Sequence, residues 1–339
     1  MKNIFLPVLI LILFVLPNKA QEVKYIAQSK VNDTIAHGAT LYKISDSVSY
    51  IYTRPTPLKY IKYAAMDLYE GPKMLFRKKS ILPIVGVTAG TLALIAFDKE
   101  ITDGVQQFGR YIHLSQDRST VDLSPTKMFQ LNLPTSFSSG LYYIGDGMTE
   151  LAVNGGFYVY GLIKKDNRAL RTASQLSEGM ISVGIWIQIL KHVSGRIDSR
   201  VSPGNKDRWR WFPSLKTYTN NVPWYDAFPS GHLAIGMTTV TIIAMNYPEK
   251  KFVKPIGYSL LGLCGFQMIN NGVHWAGDYP LAIFMGYGFG KLIVNRDRLR
   301  VKEDEYFKLT GYRQNKPKLK LNPTFIFNGT PALKLSLNL

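Results

Sequence analysis

One cysteine occurs in 339 residues, Cys264, and it sits in an apolar run. No disulfide framework can form within the chain, and the thiol reads as a core filler. Acidic residues are scarce: 23 Asp and Glu stand against 41 Lys and Arg, a formal net charge of +18. That excess points to anionic partners: phosphate esters, anionic lipid surfaces or nucleic acid. Internal repeats and low-complexity tracts are absent. Long apolar runs are few as well, and the mean hydropathy is close to neutral, low for a protein of many membrane spans. The most lipid-like run, Ile81 to Phe97, has 17 residues and only just reaches spanning length.

What is present is enough for a sizeable core: 46% of residues are hydrophobic and 12% aromatic. Residues 1–20 have Lys2, an apolar stretch from Ile4 to Leu16 and Pro17-Asn18-Lys19-Ala20, the pattern of a secretory signal peptide. Residues 21–79 form an N-terminal extension, with a short strand within Leu41–Tyr52 and an amphipathic helix over 56–76. A helical domain follows over 80–296. Its apolar segments are 81–97, 137–163, 172–195, 230–247, 252–270 and 278–295, with a surface helix near 99–112. Asp146 and Glu150 make the second of these a poor lipid-facing span and read as structural polar groups. The basic tail 297–339 alternates on either side of Asn328-Gly329, a β-hairpin signal.

Chemistry concentrates at three helix ends. Phe228-Pro229-Ser230-Gly231-His232 opens the helix at 230, where backbone N–H groups suit an anion and an imidazole can move protons. His274 lies 42 positions on and Asp278 four further, on the same face if that turn is helical. Lys191 closes the helix upstream. A neutral His nitrogen can attack phosphorus when a carboxylate holds its other nitrogen, and a second His can protonate the leaving oxygen. His192, beside Lys191, reads as structural or exposed, and Asn270-Asn271 as satisfying backbone at a helix end.

The order Lys191, Pro229-Ser230-Gly231-His232, His274-Trp275-Ala276-Gly277-Asp278 resembles the type 2 phosphatidic acid phosphatase (PAP2) and vanadium haloperoxidase superfamily. The resemblance covers residues 80–295 and implies an all-α, six-helix bundle. It implies His274 as nucleophile, Asp278 as its orienter and His232 as general acid. Ser230, Gly231 and Lys191 would hold phosphate oxygens, with no metal and no cofactor. Two motif positions depart from the family pattern. Asp198 stands where the first motif has Arg, and Met268 where the third has Arg. Some other cation must substitute, since one preorganised donor is typically worth about 2.7–4 kcal/mol in a transition state. Arg196 is the first candidate, because Gly195 can end the helix and turn the chain; Arg200, Arg208 and Arg210 follow.

The expected activity is hydrolysis of a lipid phosphate or pyrophosphate through a phosphohistidine. The rival is a catalytically degenerate binder of phosphorylated lipid or an envelope component. Basic clusters at 77–79, 164–171, 250–254 and 291–302 place the motif loops on the non-cytoplasmic side by the positive-inside rule. Partners are therefore a phosphorylated lipid or other phosphate ester and a membrane, not nucleic acid, with the site facing out of the cytoplasm.

Overall fold

A computed structural model describes residues 38–45, 48–75, 78–122, 132–201, 208–302, 318–326 and 330–338. Strands β1 (Thr40–Ser45) and β2 (Val48–Tyr52) lead into α1 (Lys59–Leu75), α2 (Ile81–Ala96) and α3 (Asp98–Tyr111). A short ribbon of β3 (Thr120–Asp122) and β4 (Asn132–Pro134) precedes α4 (Phe137–Tyr143) and α5 (Gly147–Ile163). The long α6 (Asn167–Ser194) and short α7 (Leu215–Asn220) follow, then α8 (Gly231–Asn246), α9 (Val253–Asn270) and α10 (Tyr279–Asp297). Strand β5 (Leu299–Lys302) and the antiparallel pair β6 (Lys318–Ile326) and β7 (Thr330–Asn338) complete the order.

Helix α8 is the axis. It packs against α6, α9 and α10; α5 lies on α6, α1 lies on α6 and α10, and α2 lies on α10. Its sequence is apolar around its whole circumference, as a helix enclosed on most sides requires. The α8–α10 contact is close because Gly286 has no side chain: a Cβ there would come within 2.3 Å of the Ala234 carbonyl. The central core joins Val183, Ile187, Leu233, Met237, Cys264, Met268, Leu281 and Phe289. Cys264 is buried among them.

The fold is mostly helical rather than all-α. A three-stranded antiparallel sheet in the order β1-β2-β5 joins the N-terminal hairpin to the strand after α10. No pattern in the four residues of β5 announces it; pairing with β2 decides its state. The sheet sits at the C-terminal end of α8, where the Tyr52 hydroxyl donates to the Asn246 carbonyl at 3.1 Å. The expected six helices become ten among the described residues. The segment 137–163 is divided into α4 and α5, because Asp146 caps α5 by accepting from the Met148 amide. The tail strands lie where the alternation predicted, while the Asn328-Gly329 turn and the signal-like residues 1–20 lie outside the described residues.

The distal end is held by buried charge. Arg168 pairs with Glu249 at 2.7 Å and Arg171 with Asp297 at 2.8 Å. Both arginines belong to the basic cluster 164–171, so that cluster is partly internal and not wholly a solvent-facing one. With 16 residues in α8, the sheet end lies about 24 Å from the helix N-terminus. That N-terminus is where the motif residues gather.

Candidate active site

Four chain segments converge at the start of α8, and main-chain bonds stitch them together. Helix α6 stops at Gly195, whose φ of 50° is left-handed and whose amide donates back to the Lys191 carbonyl. A side chain is excluded at Gly195 by space as well, since a Cβ would meet the Arg210 carbonyl at 1.8 Å. Beyond the stop, the chain runs as an extended strap. The Ile197 amide donates to the Arg208 carbonyl, the Asp198 amide to Pro223 and the Ala227 amide to Arg196, each at 2.9 Å. The Ser230 amide donates to the Asp278 carbonyl at 3.2 Å, which ties the Ser-Gly-His loop to the His-x-x-x-Asp turn.

His274 is 2% exposed. Its Nδ1 lies 2.7 Å from the Ala227 carbonyl oxygen and 3.3 Å from Asp278 Oδ2. A carbonyl can only accept, so Nδ1 carries the proton and Nε2 keeps the lone pair. His232 faces it, with ring centroids 6.5 Å apart and planes at 73°. His232 also packs on Tyr142 at 4.6 Å, and its Nε2 lies 3.9 Å from Asp146 Oδ2. That nitrogen has no hydrogen-bond partner among the described residues. Burial first, then His274, Lys191 and Arg118, push its pKa down to about 3, so the ring is neutral near pH 7.

Ser230 is the N-cap of α8, its Oγ accepting from the Leu233 amide at 3.5 Å. A Cβ built on Gly231 would lie 3.7 Å from Lys191 Nζ, so the ammonium sits at the helix N-terminus. Lys191 Nζ donates to Asp226 Oδ2 at 2.7 Å. The Tyr218 hydroxyl donates to the other Asp226 oxygen. Asp226 is thus a neighbour of the Ser-Gly-His loop that sequence reasoning did not single out.

Arg196, expected on a phosphate oxygen, is instead fully buried and donates to both Asp278 Oδ1 and Asp98 Oδ2. Arg208 donates to Asp98 Oδ2 at 3.1 Å, and the Gly277 amide to Asp98 Oδ1 at 3.0 Å. Two guanidinium groups therefore meet two carboxylates in a buried cluster behind His274. Asp278 Oδ2 is held by the Trp275 amide at 2.7 Å, so both Asp278 oxygens are fixed. Asp98 comes from the first turn of α3, far outside the motif region. Its only sequence signal is a carboxylate ending the apolar run 81–97.

The two motif departures fall as different kinds of residue. Met268 is 0% exposed, packed with its sulfur 4.0 Å from Ser230 Oγ. Asp198 is buried and accepts from Arg200 at 2.8 Å. Burial first, then the Asp226 and Asp278 carboxylates, push its pKa up to about 9, while Lys191 and Arg118 pull against them. His192 lies off the site, stacked on Tyr218 at 3.9 Å. The Trp209 and Trp211 rings are also packing groups, stacked on each other at 5.1 Å. Asn270 donates to the Leu114 and Ser115 carbonyls, holding a loop and not only the helix end. Among the described residues, no group of three or more His, Cys, Asp or Glu side chains is arranged to hold a metal ion.

The arrangement defines a helical protein with a paired-imidazole site at a helix N-terminus, one ring locked in a single tautomer beside a Lys and backbone amides. Residues 173–301 match the model of the PAP2 superfamily, which supports the resemblance carried by the motifs. The match runs from the first turns of α6 to β5 and includes every motif residue named above. No curated protein and no solved structure matches the chain. PAP2 proteins are a phosphatase-type family acting on phosphate esters, and the match supports a phosphate-ester substrate.

Proposed function

We propose that the chain is a phosphoric ester hydrolase, which transfers the phosphoryl group of a lipid phosphate or pyrophosphate to His274 and then to water. One observation carries this reading: His274 Nδ1 is committed to the Ala227 carbonyl beside Asp278, which leaves the Nε2 lone pair for the pocket. Nε2 attacks phosphorus; the N–P bond forms as the P–O bond to the alcohol breaks. Protonated His232 gives its proton to the leaving oxygen. Water then attacks phosphorus, the N–P bond breaks, His232 takes the proton, and inorganic phosphate leaves. Asp278 stabilises the positive charge that His274 carries while phosphorylated. Lys191 and the amides at the start of α8 bind the equatorial oxygens.

His232 acts as the acid only after the substrate arrives. An anion next to the ring raises its pKa from that low value, so the proton enters with the phosphate. Arg196 does not touch substrate in this mechanism; it positions Asp278.

The lipid part of the proposal draws on the outer faces of the bundle. Leu82 on α2 and Ile163 on α5 are 80% and 72% exposed, and Ile185, Ile256 and Ile283 are exposed on α6, α9 and α10. An apolar groove along α6, lined by Ile181, Ile185 and Ile189, ends at His192 and Phe212 beside the Lys191 end of the site. Its direction suits an acyl or isoprenyl chain. No single helix among the described residues is long and apolar enough to cross a membrane, although α2 and α3, bent by 70°, pass such a test together. We place the protein in the cell envelope, membrane-associated, with the site facing away from the cytoplasm.

The test is purified protein with phosphatidate and with isoprenyl pyrophosphate. Phosphate release that His274→Ala abolishes supports the reading; release as fast as the parent's from His274→Ala removes it. Asp198 motivates a second reading, a degenerate phospholipid binder. A silent parent that is awakened by Asp198→Arg with Met268→Arg would favour it.

A further inference from the structure

We infer that Arg118, from the loop between α3 and β3, supplies the transition-state guanidinium that neither residue 198 nor residue 268 provides, and that Gln267 and Asn270 hold that loop in place. The inference rests on the phosphatase reading above.

The other arginines near the pocket are engaged. Arg196 and Arg208 belong to the cluster with Asp98 and Asp278, and Arg200 is bonded to Asp198. Lys191 is paired with Asp226. Arg118 differs: among the described residues it forms no ion pair with a carboxylate side chain. It is half-buried, with its guanidinium carbon 5.5 Å from the Tyr142 ring centroid. Tyr142 in turn stacks against His232 at 4.6 Å. Arg118 therefore stands one aromatic ring from the imidazole proposed to protonate the leaving oxygen. Its charge already acts on both sides of the pocket, depressing the His232 pKa and opposing the rise at Asp198.

The loop is not free to wander. Gln267 Nε2 donates to the Ser115 carbonyl at 2.9 Å, and Asn270 Nδ2 donates to the same oxygen at 3.2 Å. The Arg118 amide donates to Asp117 Oδ1 at 2.7 Å, and the β3–β4 ribbon leads on to α4, which carries Tyr142. Gln267 and Met268 occupy the two positions where the family pattern has Ser-Arg. Met268 stands in place of that arginine on α9, and the glutamine in place of the serine before it anchors the loop that carries a different arginine, from outside the family-matched segment. A Tyr face offers a guanidinium a resting place of modest strength, from which it can move onto an arriving anion. Arg suits this role because its planar fork binds two phosphate oxygens at once.

The experiment measures hydrolysis of p-nitrophenyl phosphate and phosphatidate by full-length parent, His274→Ala, Arg118→Ala and Arg118→Ala/Met268→Arg. Each is assayed with and without millimolar guanidinium ion. The expected result is a kcat about 10²–10³-fold lower for Arg118→Ala. Partial recovery is expected with free guanidinium or on adding Met268→Arg. A merely structural role for Arg118 would not respond to guanidinium. If Arg118→Ala keeps kcat within twofold while His274→Ala is dead, the inference is overturned and the phosphatase reading stands. If Arg118→Ala is impaired but neither added guanidinium nor Met268→Arg restores any rate, it is overturned as well. If His274→Ala matches the parent, the underlying reading falls, and the assignment of Arg118 with it.

Discussion

Asp278 and Arg196 form a buried ion pair 82 positions apart in sequence, and the same Asp278 faces Nδ1 of His274 at 3.3 Å. Because the Ala227 carbonyl also accepts from that nitrogen, two groups share the work at His274. Ala227 sets the tautomer, and Asp278 supplies charge. Asp278→Asn is therefore expected to lower kcat by about 10²–10³-fold with little change in KM, while ¹⁵N spectra still show the proton on Nδ1. A flipped tautomer in the variant would show that Asp278, not Ala227, sets it.

Arg196 lies at the centre of that cluster with Asp98 and Asp278. Removing one partner of a buried pair typically costs about 3–5 kcal/mol, because the other charge is left uncompensated. Arg196→Met is expected to lose about that much in denaturant unfolding. Asp98→Asn should lose less, since Arg196 keeps Asp278. Equal stability of Arg196→Met and parent would mean that the cluster does not hold the site together.

The pKa of His232 makes anion binding pH-dependent in a defined direction. Burial and its cationic neighbours lower it to about 3, and a bound phosphate raises it by adding negative charge. Between the two values, binding takes up a proton, so affinity rises as pH falls. Tyr142, Asp146, His274, Lys191 and Arg118 face the ring, and Asp146 is the one carboxylate among them. Titration calorimetry with orthovanadate at pH 5.5 to 8, in buffers of different ionisation enthalpy, should show net proton uptake. His232→Asn should remove the part of that uptake not due to the ligand's own titration.

Asp198 gives the opposite linkage. Its pKa is raised to about 9, so the folded state holds a proton that the unfolded chain has lost above the ordinary carboxylate range. Stability is then fully present below the unfolded value and falls as pH rises through that window. Asp198→Asn retains an oxygen for Arg200 and removes the charge. The variant should be more stable than the parent at pH 7 to 8 and equal to it near pH 4. A tenfold change in the protonation equilibrium is worth about 1.4 kcal/mol, so the rise in Tm should be several degrees. A loss of stability at pH 8 would show that the Arg200 pair keeps Asp198 ionised.

The helix-forming segments and the motif loops were legible because local chemistry marks them. The apolar runs outline α2, α5, α6, α8, α9 and α10, and Gly195 ends α6 where its left-handed φ was wanted. Ser230, His232, His274 and Asp278 were legible by residue type and spacing. The rest depends on contacts that no spacing encodes. Asp98 lies 98 positions from the arginine it holds, and β5 is a strand only because β2 lies beside it. Arg196 was expected on a phosphate oxygen and meets Asp98 and Asp278 instead, because charge alone does not say whether a guanidinium meets phosphate or two carboxylates. Arg118 stood outside the motif region altogether, and its placement depends on Gln267 and Asn270 bonding to a loop more than 150 residues earlier.

The covalent intermediate can be trapped directly. Parent protein and His274→Ala would be mixed with ³²P-labelled phosphatidate for one turnover, quenched in alkali and digested, and the labelled peptide identified. The expected result is an acid-labile, alkali-stable phosphohistidine on the peptide containing His274, absent from the variant. Label on another residue, or the same label in His274→Ala, would contradict attack by this imidazole.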